Sequence, residues 1–387
     1  MRTDQEAVIA GAYEHPGREL PDKSLAQLHA EVALGAVADA GLSLADVDGF
    51  FCGYDAAGAG WISMADYLGL RGLTYMDSTE SGGASPIYHV SHAMAAIATG
   101  RCKVALVALA SKPRTGEMPA RVGPAAPEDS FERRMFDGAG LVANYALAAK
   151  RHMYEFGTTG EQLAEIKVAA SIHASHNPNA FLRKVMTVED VVSSPMIADP
   201  LHRADCCVIT DGGGAVVLVS PDVAKGLERQ KVNVLGHAEA GKGVNGGKVD
   251  LTYSSAVWSG PRAFEQAGVT PADIDYVSIY DSFTITVLMM LEDLGFCAKG
   301  EGGRFVRDGT LVAPHGRLPF NTDGGGLANN HPDRGGITKL VEAVRQLRGE
   351  ANEGTQVPDC ELALVHGNGG DLGTRMRGAT MILGRRD

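Results

Sequence analysis

Two hydroxyl side chains, Thr79 and Ser81, lie at a point of the chain where chemistry is often placed. The stretch MDSTESGGASPIYHVSHAMAAIATGRCKVALVALAS, from Met76 to Ser111, runs from a turn through an Ala-rich helical pattern into an apolar strand. A helix N-terminus has free backbone N–H groups and the positive end of the helix dipole, so it suits a nucleophile or an anion. A hydroxyl nucleophile also needs a dedicated base, and none is evident beside these two residues. Capping and packing of the helix is therefore the alternative role for both.

The cysteines do not have the spacing of a metal site. The adjacent Cys206 and Cys207 cannot easily form a disulfide with each other. We expect reduced, mostly buried thiols and no metal bound by this chain. The six cysteines are at positions 52, 102, 206, 207, 297 and 360.

Length and composition indicate an ordinary globular protein with more than one core. A chain of 387 residues exceeds the usual size of one core, so two domains or two fused halves are expected. The net charge of −12 argues against a nucleic-acid partner, because phosphates require a basic surface. No apolar segment is long enough to span a bilayer and no signal-peptide core follows the first charges, so a cytoplasmic location is expected.

The chain contains an internal repeat. The passages AGLSLADVDGFFCGYD, from Ala40, and AGVTPADIDYVSIYDSF, from Ala267, share one pattern, and each follows an Ala-rich amphipathic helix. Later elements repeat as well, because HAMAAIATGRCKVALVALAS matches ITKLVEAVRQLRGEA followed by CELALVHGNGG. Each half then closes with a Gly-led strand, DGGGAVVLVS or RGATMILGR.

Helices that alternate with buried strands predict an α/β fold with sheets covered on both faces. We predict two duplicated βαβαβαββ-type halves in a five-layer αβαβα arrangement, residues 1–229 and 230–387, with a boundary near Arg229. A segment of the first half, about 113–202, has no counterpart in the second half. Its helical patterns, LVANYALAAKRHMYEF and EQLAEIKVAASIHASH, predict an inserted subdomain.

Over nearly its whole length the chain resembles the thiolase superfamily, and most closely the branch of sterol-carrier and lipid-transfer-type thiolases. The resemblance is carried by the duplicated halves and by four stretches. These are IADPLHRADCCVITDGGGAVVLV, YDSFTITVLMMLEDLGFCAKGEGGRFV, DGGGLANNHPDRGGITKLVEAVRQLRGEA and VHGNGGDLGTRMRGATMILGR. It implies the thiolase fold.

The resemblance also shows where this chain departs from thiolase chemistry. The family's nucleophilic Cys, held at a helix N-terminus, aligns near Thr79, and no Cys lies between Cys52 and Cys102. The branch's His-Asp-Cys-Phe motif appears here as YDSF, so Tyr280 replaces the His and Ser282 replaces the Cys. The His of the family's Gly-His-Pro motif is kept as His331.

These replacements imply candidate site residues. Tyr280 is the main candidate for general acid/base catalysis. Its alternative role is to pack under the loop. His331 is the partner of Tyr280 or a donor to an enolate, and otherwise a structural histidine at a helix start. Asp281 is expected to orient backbone groups at the turn.

The last catalytic loop of the family falls on VHGNGG. There Asn368 or Gly369 occupies the position of the usual Cys, and His366 is either a ligand contact or a structural histidine at a strand end. Thr79, Ser81, Asp281, Ser282, His366 and Asn368 are thus possible substrate-binding or supporting residues.

Without a thiol there is no acyl-enzyme, but groups aimed at the thioester oxygen can still stabilise an enolate. The resemblance then implies an acyl-CoA aldolase that cleaves a β-hydroxyacyl-CoA, for example a steroid side-chain thioester, into a ketone and a short acyl-CoA such as propionyl-CoA. One alternative is a β-ketoacyl-CoA thiolase or acyltransferase with another nucleophile, for which Cys297 and Cys206 are candidates. A second alternative is a non-catalytic subunit of an acyl-CoA complex.

The resemblance implies a homodimer and a partner in trans. That partner is a small acyl-CoA-associated protein with an OB-fold and a zinc ribbon, or a hydratase-linked domain, and together they form a heterotetramer. Zinc is expected only in the partner. We expect no covalently bound cofactor, with the CoA thioester as substrate.

Overall fold

The computed structural model describes residues 7–53, 60–116, 140–243, 249–372 and 375–385. Residues 117–139 of the predicted inserted segment therefore lie outside the described residues, as do short stretches elsewhere. None of the helices in the described ranges combines the length and the apolar character that a bilayer span requires.

The first half and its insertion alternate strands and helices along the chain. The strand β4 is buried at all eight positions, VALVALAS, because both of its faces are covered. The elements in order are β1 (Val8–Glu14), α1 (Leu25–Asp39), β2 (Gly49–Phe51), α2 (Trp61–Leu68), β3 (Tyr75–Asp77), α3 (Ser85–Ala98), β4 (Val104–Ser111), α4 (Gly140–Phe156), α5 (Gly160–His176), α6 (Val188–Val192), β5 (Met196–Ala198), β6 (Leu201–His202), β7 (Gly212–Val219) and α7 (Pro221–Ala224).

The second half repeats this order in a shorter form. The predicted boundary near Arg229 lies between α7 and the first strand of this half. The elements are β8 (Val232–Gly241), α8 (Ala256–Ala267), β9 (Tyr276–Ile279), α9 (Thr284–Asp293), α10 (Gly302–Phe305), α11 (Gly336–Arg348), β10 (Leu362–Leu372) and β11 (Arg375–Arg385).

Strand pairing confirms the duplication. The sheet order is β3-β2-β4-β7-β1-β8-β11-β10-β9, and the halves meet where Val8 pairs with Asn233 and Ile9 with Val232. In each half a parallel pair, β2 with β4 or β9 with β10, is followed by two antiparallel pairings. The counterpart of β3 is reduced to one parallel bridge between Val277 and Phe320.

The five predicted layers are confirmed. The helices α3 and α11 lie between the two halves of the sheet, where their apolar residues share one core with both halves. The helices α1 and α2 cover the outer face of the first half. The helices α8 and α9, with α4 and α5 of the insertion, cover the outer face of the second half. The two central helices begin side by side, because a Cβ on Gly336 would lie 2.3 Å from the carbonyl oxygen of Gly83.

Candidate active site

The hydroxyl of Thr79 is already bound by a neighbouring carboxylate. Both Oγ1 and the amide of Thr79 donate to Asp77 Oδ1, each at 2.8 Å. Burial raises the pKa of Asp77, but hydrogen bonds from His92 and Thr79 outweigh it and hold that pKa well below its usual range. Hydrogen bonds to Asp77 and Glu239 raise the pKa of His92 to about 9, so this imidazole is protonated at neutral pH. Neither group is a base that could activate Thr79.

Ser81 packs against other backbone segments near the start of α3. Its side chain is buried, and its amide donates to Ser85 Oγ at 2.8 Å. A Cβ on Gly369 would lie 1.9 Å from the carbonyl oxygen of Ser81, so the last loop of the chain packs directly on this segment. These contacts favour the packing role for Ser81, whose side chain makes no capping hydrogen bond.

A carboxylate that sequence reasoning overlooked, Glu80, occupies the N-terminus of α3. Its Oε1 accepts from the Gly82 amide at 2.6 Å and from Ser85 Oγ at 3.2 Å. Its Oε2 forms an ion pair with Arg334 Nη2 at 3.0 Å. An anion at a helix N-terminus is stabilised by the dipole, and an acidic residue directly before a helical pattern was the available signal. The position that suits a thiolate therefore already holds a negative charge.

The ring of Tyr280 lies between the starts of the two central helices. A Cβ on Gly83 would be 2.3 Å from this ring, and a Cβ on Gly335 would be 3.0 Å from it. The hydroxyl donates to the carbonyl oxygen of Asp333 at 3.0 Å. Burial, together with the negative charge of Asp333, raises the pKa of Tyr280 well above its ordinary value. The Tyr280 hydroxyl is therefore neutral and can donate a hydrogen bond. It is better suited to act as a general acid than as a general base.

His331 contacts Tyr280 edge to face, with the ring centroids 5.3 Å apart. Its amide donates to Thr210 Oγ1 at 2.8 Å, which fixes the backbone of the histidine. Its Nε2 is buried and has no hydrogen-bond partner among the described residues. Burial lowers the pKa of His331, against the opposing charges of Asp281 and Asp333, so the imidazole is neutral at pH 7. A neutral imidazole with a free nitrogen can accept or donate a proton.

Asp281 and Ser282 follow Tyr280 but have different surroundings. The two carboxylate oxygens of Asp281 accept the amides of Gly326 and Leu327 at 2.8 and 3.0 Å, the backbone-orienting role predicted for this residue. Ser282 Oγ lies 3.2 Å from Thr286 Oγ1, one turn along α9. Ser282 therefore contacts its own helix.

His366 and Asn368 lie at the end of β10. The imidazole of His366 is fully buried, and its Nδ1 lies 2.8 Å from Thr380 Oγ1, which in turn bonds Ser259 on α8. This ring therefore faces the outer layer, on the opposite side of the sheet from Tyr280. Burial lowers the pKa of His366 to about 3. The carbonyl oxygen of Asn368 faces the other way and would lie 2.6 Å from a Cβ on Gly83.

The fold thus brings some predicted residues together and separates others. Tyr280, His331 and the backbone of Asn368 converge on the starts of α3 and α11, together with the pair formed by Glu80 and Arg334. The rings of Tyr280 and His331, here named the Tyr280–His331 pair, form the centre of this site. The side chains of Ser282 and His366 face elsewhere.

The thiols proposed as alternative nucleophiles are poorly suited to that role. Burial raises the pKa of Cys206 to about 11 and the pKa of Cys297 to about 12. Burial also raises the pKa of Cys102 and of Cys360 to about 12, and that of Cys207 further still. A thiol with such a pKa holds almost no thiolate at neutral pH.

We therefore expect a thiol-directed reagent at moderate excess, near pH 7.5, to leave turnover unchanged over the time that inactivates a thiolate enzyme. The measurement is residual activity against time with iodoacetamide, with alkylation followed by mass spectrometry. Rapid stoichiometric inactivation that substrate prevents would contradict this expectation.

No group of three or more His, Cys, Asp or Glu side chains in the described ranges has the arrangement of a metal site. What the site offers is a neutral donor, a neutral imidazole and the N-terminus of α11, since Glu80 already occupies that of α3. A helix N-terminus stabilises negative charge that develops beside it.

Comparisons with known proteins cover nearly the whole chain. A family model described as thiolase C-terminal domain-like matches residues 243–385. An acetyl-CoA acetyltransferase of Methanothermobacter thermautotrophicus is 36% identical over 379 residues, 96% of this chain and 98% of the relative. A steroid side-chain-cleaving aldolase of Thermomonospora curvata is 34% identical over 358 residues, 89% of this chain and 90% of the relative. A solved structure described as an Ltp2-ChsH2(DUF35) aldolase has a TM-score of 0.84 at 32% identity and covers 98% of both chains.

Proposed function

The chain belongs to the thiolase superfamily, and from that premise we propose that it is an acyl-CoA aldolase. Its reaction is the retro-aldol cleavage of a β-hydroxyacyl-CoA to a ketone and a shorter acyl-CoA. The proposal is carried by the Tyr280–His331 pair, a neutral donor beside an imidazole with a free buried nitrogen. The similarity to a steroid side-chain-cleaving aldolase supports a bulky steroid side-chain thioester as substrate. The proposed second product is a short acyl-CoA such as propionyl-CoA.

The proposed steps use two side chains and the backbone of the site. His331 Nε2 accepts the proton of the β-hydroxyl, and the electrons of the O–H bond form the ketone as the Cα–Cβ bond breaks. The electrons of the broken bond form the enolate of the thioester, which the N-terminus of α11 stabilises. Tyr280 then protonates the α-carbon, and the proton on His331 returns to the Tyr280 oxygen. No oxidant, metal or covalent intermediate takes part.

A thiolase or acyltransferase is the second candidate, because an acetyl-CoA acetyltransferase is also a relative. That reaction requires a nucleophile that attacks a β-ketone, and it consumes free CoA. Glu80 at the start of α3 and the raised pKa of Cys206 and of Cys297 argue against it. A non-catalytic subunit is the third candidate.

The test compares two substrates with and without free CoA. The aldolase is expected to cleave a β-hydroxyacyl-CoA at a rate that does not depend on CoA, and to leave a β-ketoacyl-CoA intact. CoA-dependent cleavage of the β-ketoacyl-CoA would support the thiolase instead. Absence of both activities in the complex with its partner would support the non-catalytic subunit.

We also propose a homodimer that binds two copies of a small partner in trans, with an OB-fold and a zinc ribbon. The solved structure described as an Ltp2-ChsH2(DUF35) aldolase names a second component, which supports a partner in trans. The strand β3 forms one end of the sheet, and within the described residues no strand pairs with its outer edge. That edge is therefore available for pairing with a second copy of the chain. Light scattering of the purified chain with and without the partner tests the assembly, and a stable, fully active monomer would contradict it.

A further inference from the structure

A buried ion pair lies directly behind the loop that carries His331. Lys339, on α11, is 1% exposed, and its Nζ lies 2.9 Å from Asp281 Oδ1. Asp281 is also 1% exposed. Burial lowers the pKa of Lys339, but the charges of Asp281 and Asp323 outweigh it and raise that pKa above its ordinary value. Lys339 is therefore a charged ammonium group enclosed by acidic side chains.

Asp281 binds one tight turn with both of its oxygens. The turn covers Gly325–Asn329, and its amides at Gly326 and Leu327 donate to the two oxygens of Asp281. The turn fits closely, because a Cβ on Gly325 would lie 2.1 Å from Asp281 Oδ2. A second buried lysine, Lys167, donates to the carbonyl oxygen of Leu327 at 2.5 Å. The turn is thus held by two charged side chains, Asp281 and Lys167, from distant parts of the chain.

The turn leads directly to the imidazole of the site. His331 follows Asn329 by two residues, and its ring packs on the turn, since a Cβ on Gly326 would lie 3.1 Å from His331 Cδ2. We propose that Asp281 and Lys339 are positioning residues for His331: the pair fixes the Gly325–Asn329 turn and balances the charge behind the ring. This inference rests on the proposed function only for the effect on turnover.

A purely structural role explains the pair less well. A buried ion pair contributes little net stability on average, because the cost of removing both charges from water offsets their attraction. Here both charges lie close enough to His331 to act on its protonation. Asp281 and Asp333 raise the pKa of His331, while Lys339 and burial lower it. The other charged groups nearby are Arg334 on the same loop, which pairs with Glu80 and Asp333, and Glu14 and Asp323 beside Lys339.

Two substitutions are expected to move the pKa of His331 in opposite directions. Lys339→Met removes the positive charge and leaves Asp281 with its two backbone donors, so the pKa of His331 should rise by on the order of one unit. Asp281→Asn leaves Lys339 charged beside Asp323, so the pKa should fall by a similar amount. Both variants should lower kcat by roughly tenfold or more and change KM much less, because the ring is misplaced only for the chemical step.

The measurement has two independent readouts. The pKa of His331 is followed by NMR titration of the histidine ring protons without substrate, with the signal assigned by its loss in His331→Gln. The acid limb of kcat against pH in the partner complex is the second readout. If the chain proves not to be an aldolase, the activity readout fails, but the titration still tests the pair.

Three further variants complete the design. Lys339→Arg keeps the charge and should restore the titration of His331, and the double variant Lys339→Met/Asp281→Asn should return its pKa towards the original value. Lys299→Met is the matched control, because Lys299 pairs with Glu292 and Asp293 in another part of the fold. If Lys339→Met does not fold, Lys339→Gln replaces it. Shifts of the same sign in both single variants, or no shift in either, would overturn the proposal.

Discussion

Tyr280→Phe lowers turnover of the β-hydroxyacyl-CoA by roughly two to four orders of magnitude if the hydroxyl transfers a proton. The substitution keeps the ring, and with it the contacts to Gly83 and His331. It removes one hydrogen bond, to the carbonyl oxygen of Asp333, which costs about 1 kcal/mol of folding free energy. The expected result is therefore a folded, nearly inactive enzyme, measured as kcat in the partner complex together with the thermal midpoint.

Tyr276→Phe is the matched control for this variant. Tyr276 lies on β9, four residues before Tyr280, and is fully buried in the central core. It is expected to keep normal turnover, because its hydroxyl contacts the Thr322 amide away from the Tyr280–His331 pair. Near-normal turnover of Tyr280→Phe would remove the Tyr280 hydroxyl from the mechanism.

His331→Gln is the second substitution with a large expected effect. A base that acts only in the transition state lowers kcat when it is removed, here by roughly two to four orders of magnitude. If His331 only bound the thioester oxygen in the ground state, its loss would appear mainly in KM. Because burial lowers the pKa of His331 from its ordinary 6.5, the base form persists below that pH, and the acid limb of kcat should lie below pH 6.5.

His366→Gln is the control that shows whether the loss of turnover depends on the position of the histidine or on the loss of any buried histidine. Its imidazole is also buried and also neutral, but it faces α8 on the other side of the sheet. We expect it to lower stability and to leave turnover per folded enzyme nearly unchanged.

The double variant Tyr280→Phe/His331→Gln should lose less turnover than the product of the two single losses, because both groups act on one transition state. An unchanged kcat in His331→Gln would contradict the assignment of the base.

The elements of the fold could be predicted because periodicity and local signals agree. The pattern LAQLHAEVALGAVAD is α1, Leu25–Asp39, and it begins with a capping box between Ser24 and Gln27. The insertion pattern EQLAEIKVAASIHASH lies within α5, Gly160–His176. The duplicated strands and helices are visible in sequence because each half must cover its sheet on both faces.

The chemistry of the site could be predicted only in part. The pairing of Glu80 with Arg334 joins residues that are 254 positions apart, and no local pattern indicates it. The ion pair between Asp281 and Lys339 likewise depends on how α11 packs behind β9. Successive side chains of β10 point to opposite faces of the sheet, and this alternation decides which face the His366 side chain lies on. A predicted strand register that was wrong by one residue would place it on the other face.

In the proposed reaction this chain breaks a Cα–Cβ bond by proton transfer alone, without a thiol or free CoA. The most direct measurement is a single reaction in D2O, with a β-hydroxyacyl-CoA, the partner complex and no free CoA, followed by mass spectrometry of both products. We expect equal amounts of ketone and short acyl-CoA, with one deuterium from solvent at the α-carbon of the acyl-CoA. An intact β-hydroxyacyl-CoA, together with cleavage of the matching β-ketoacyl-CoA that begins only when CoA is added, would contradict it.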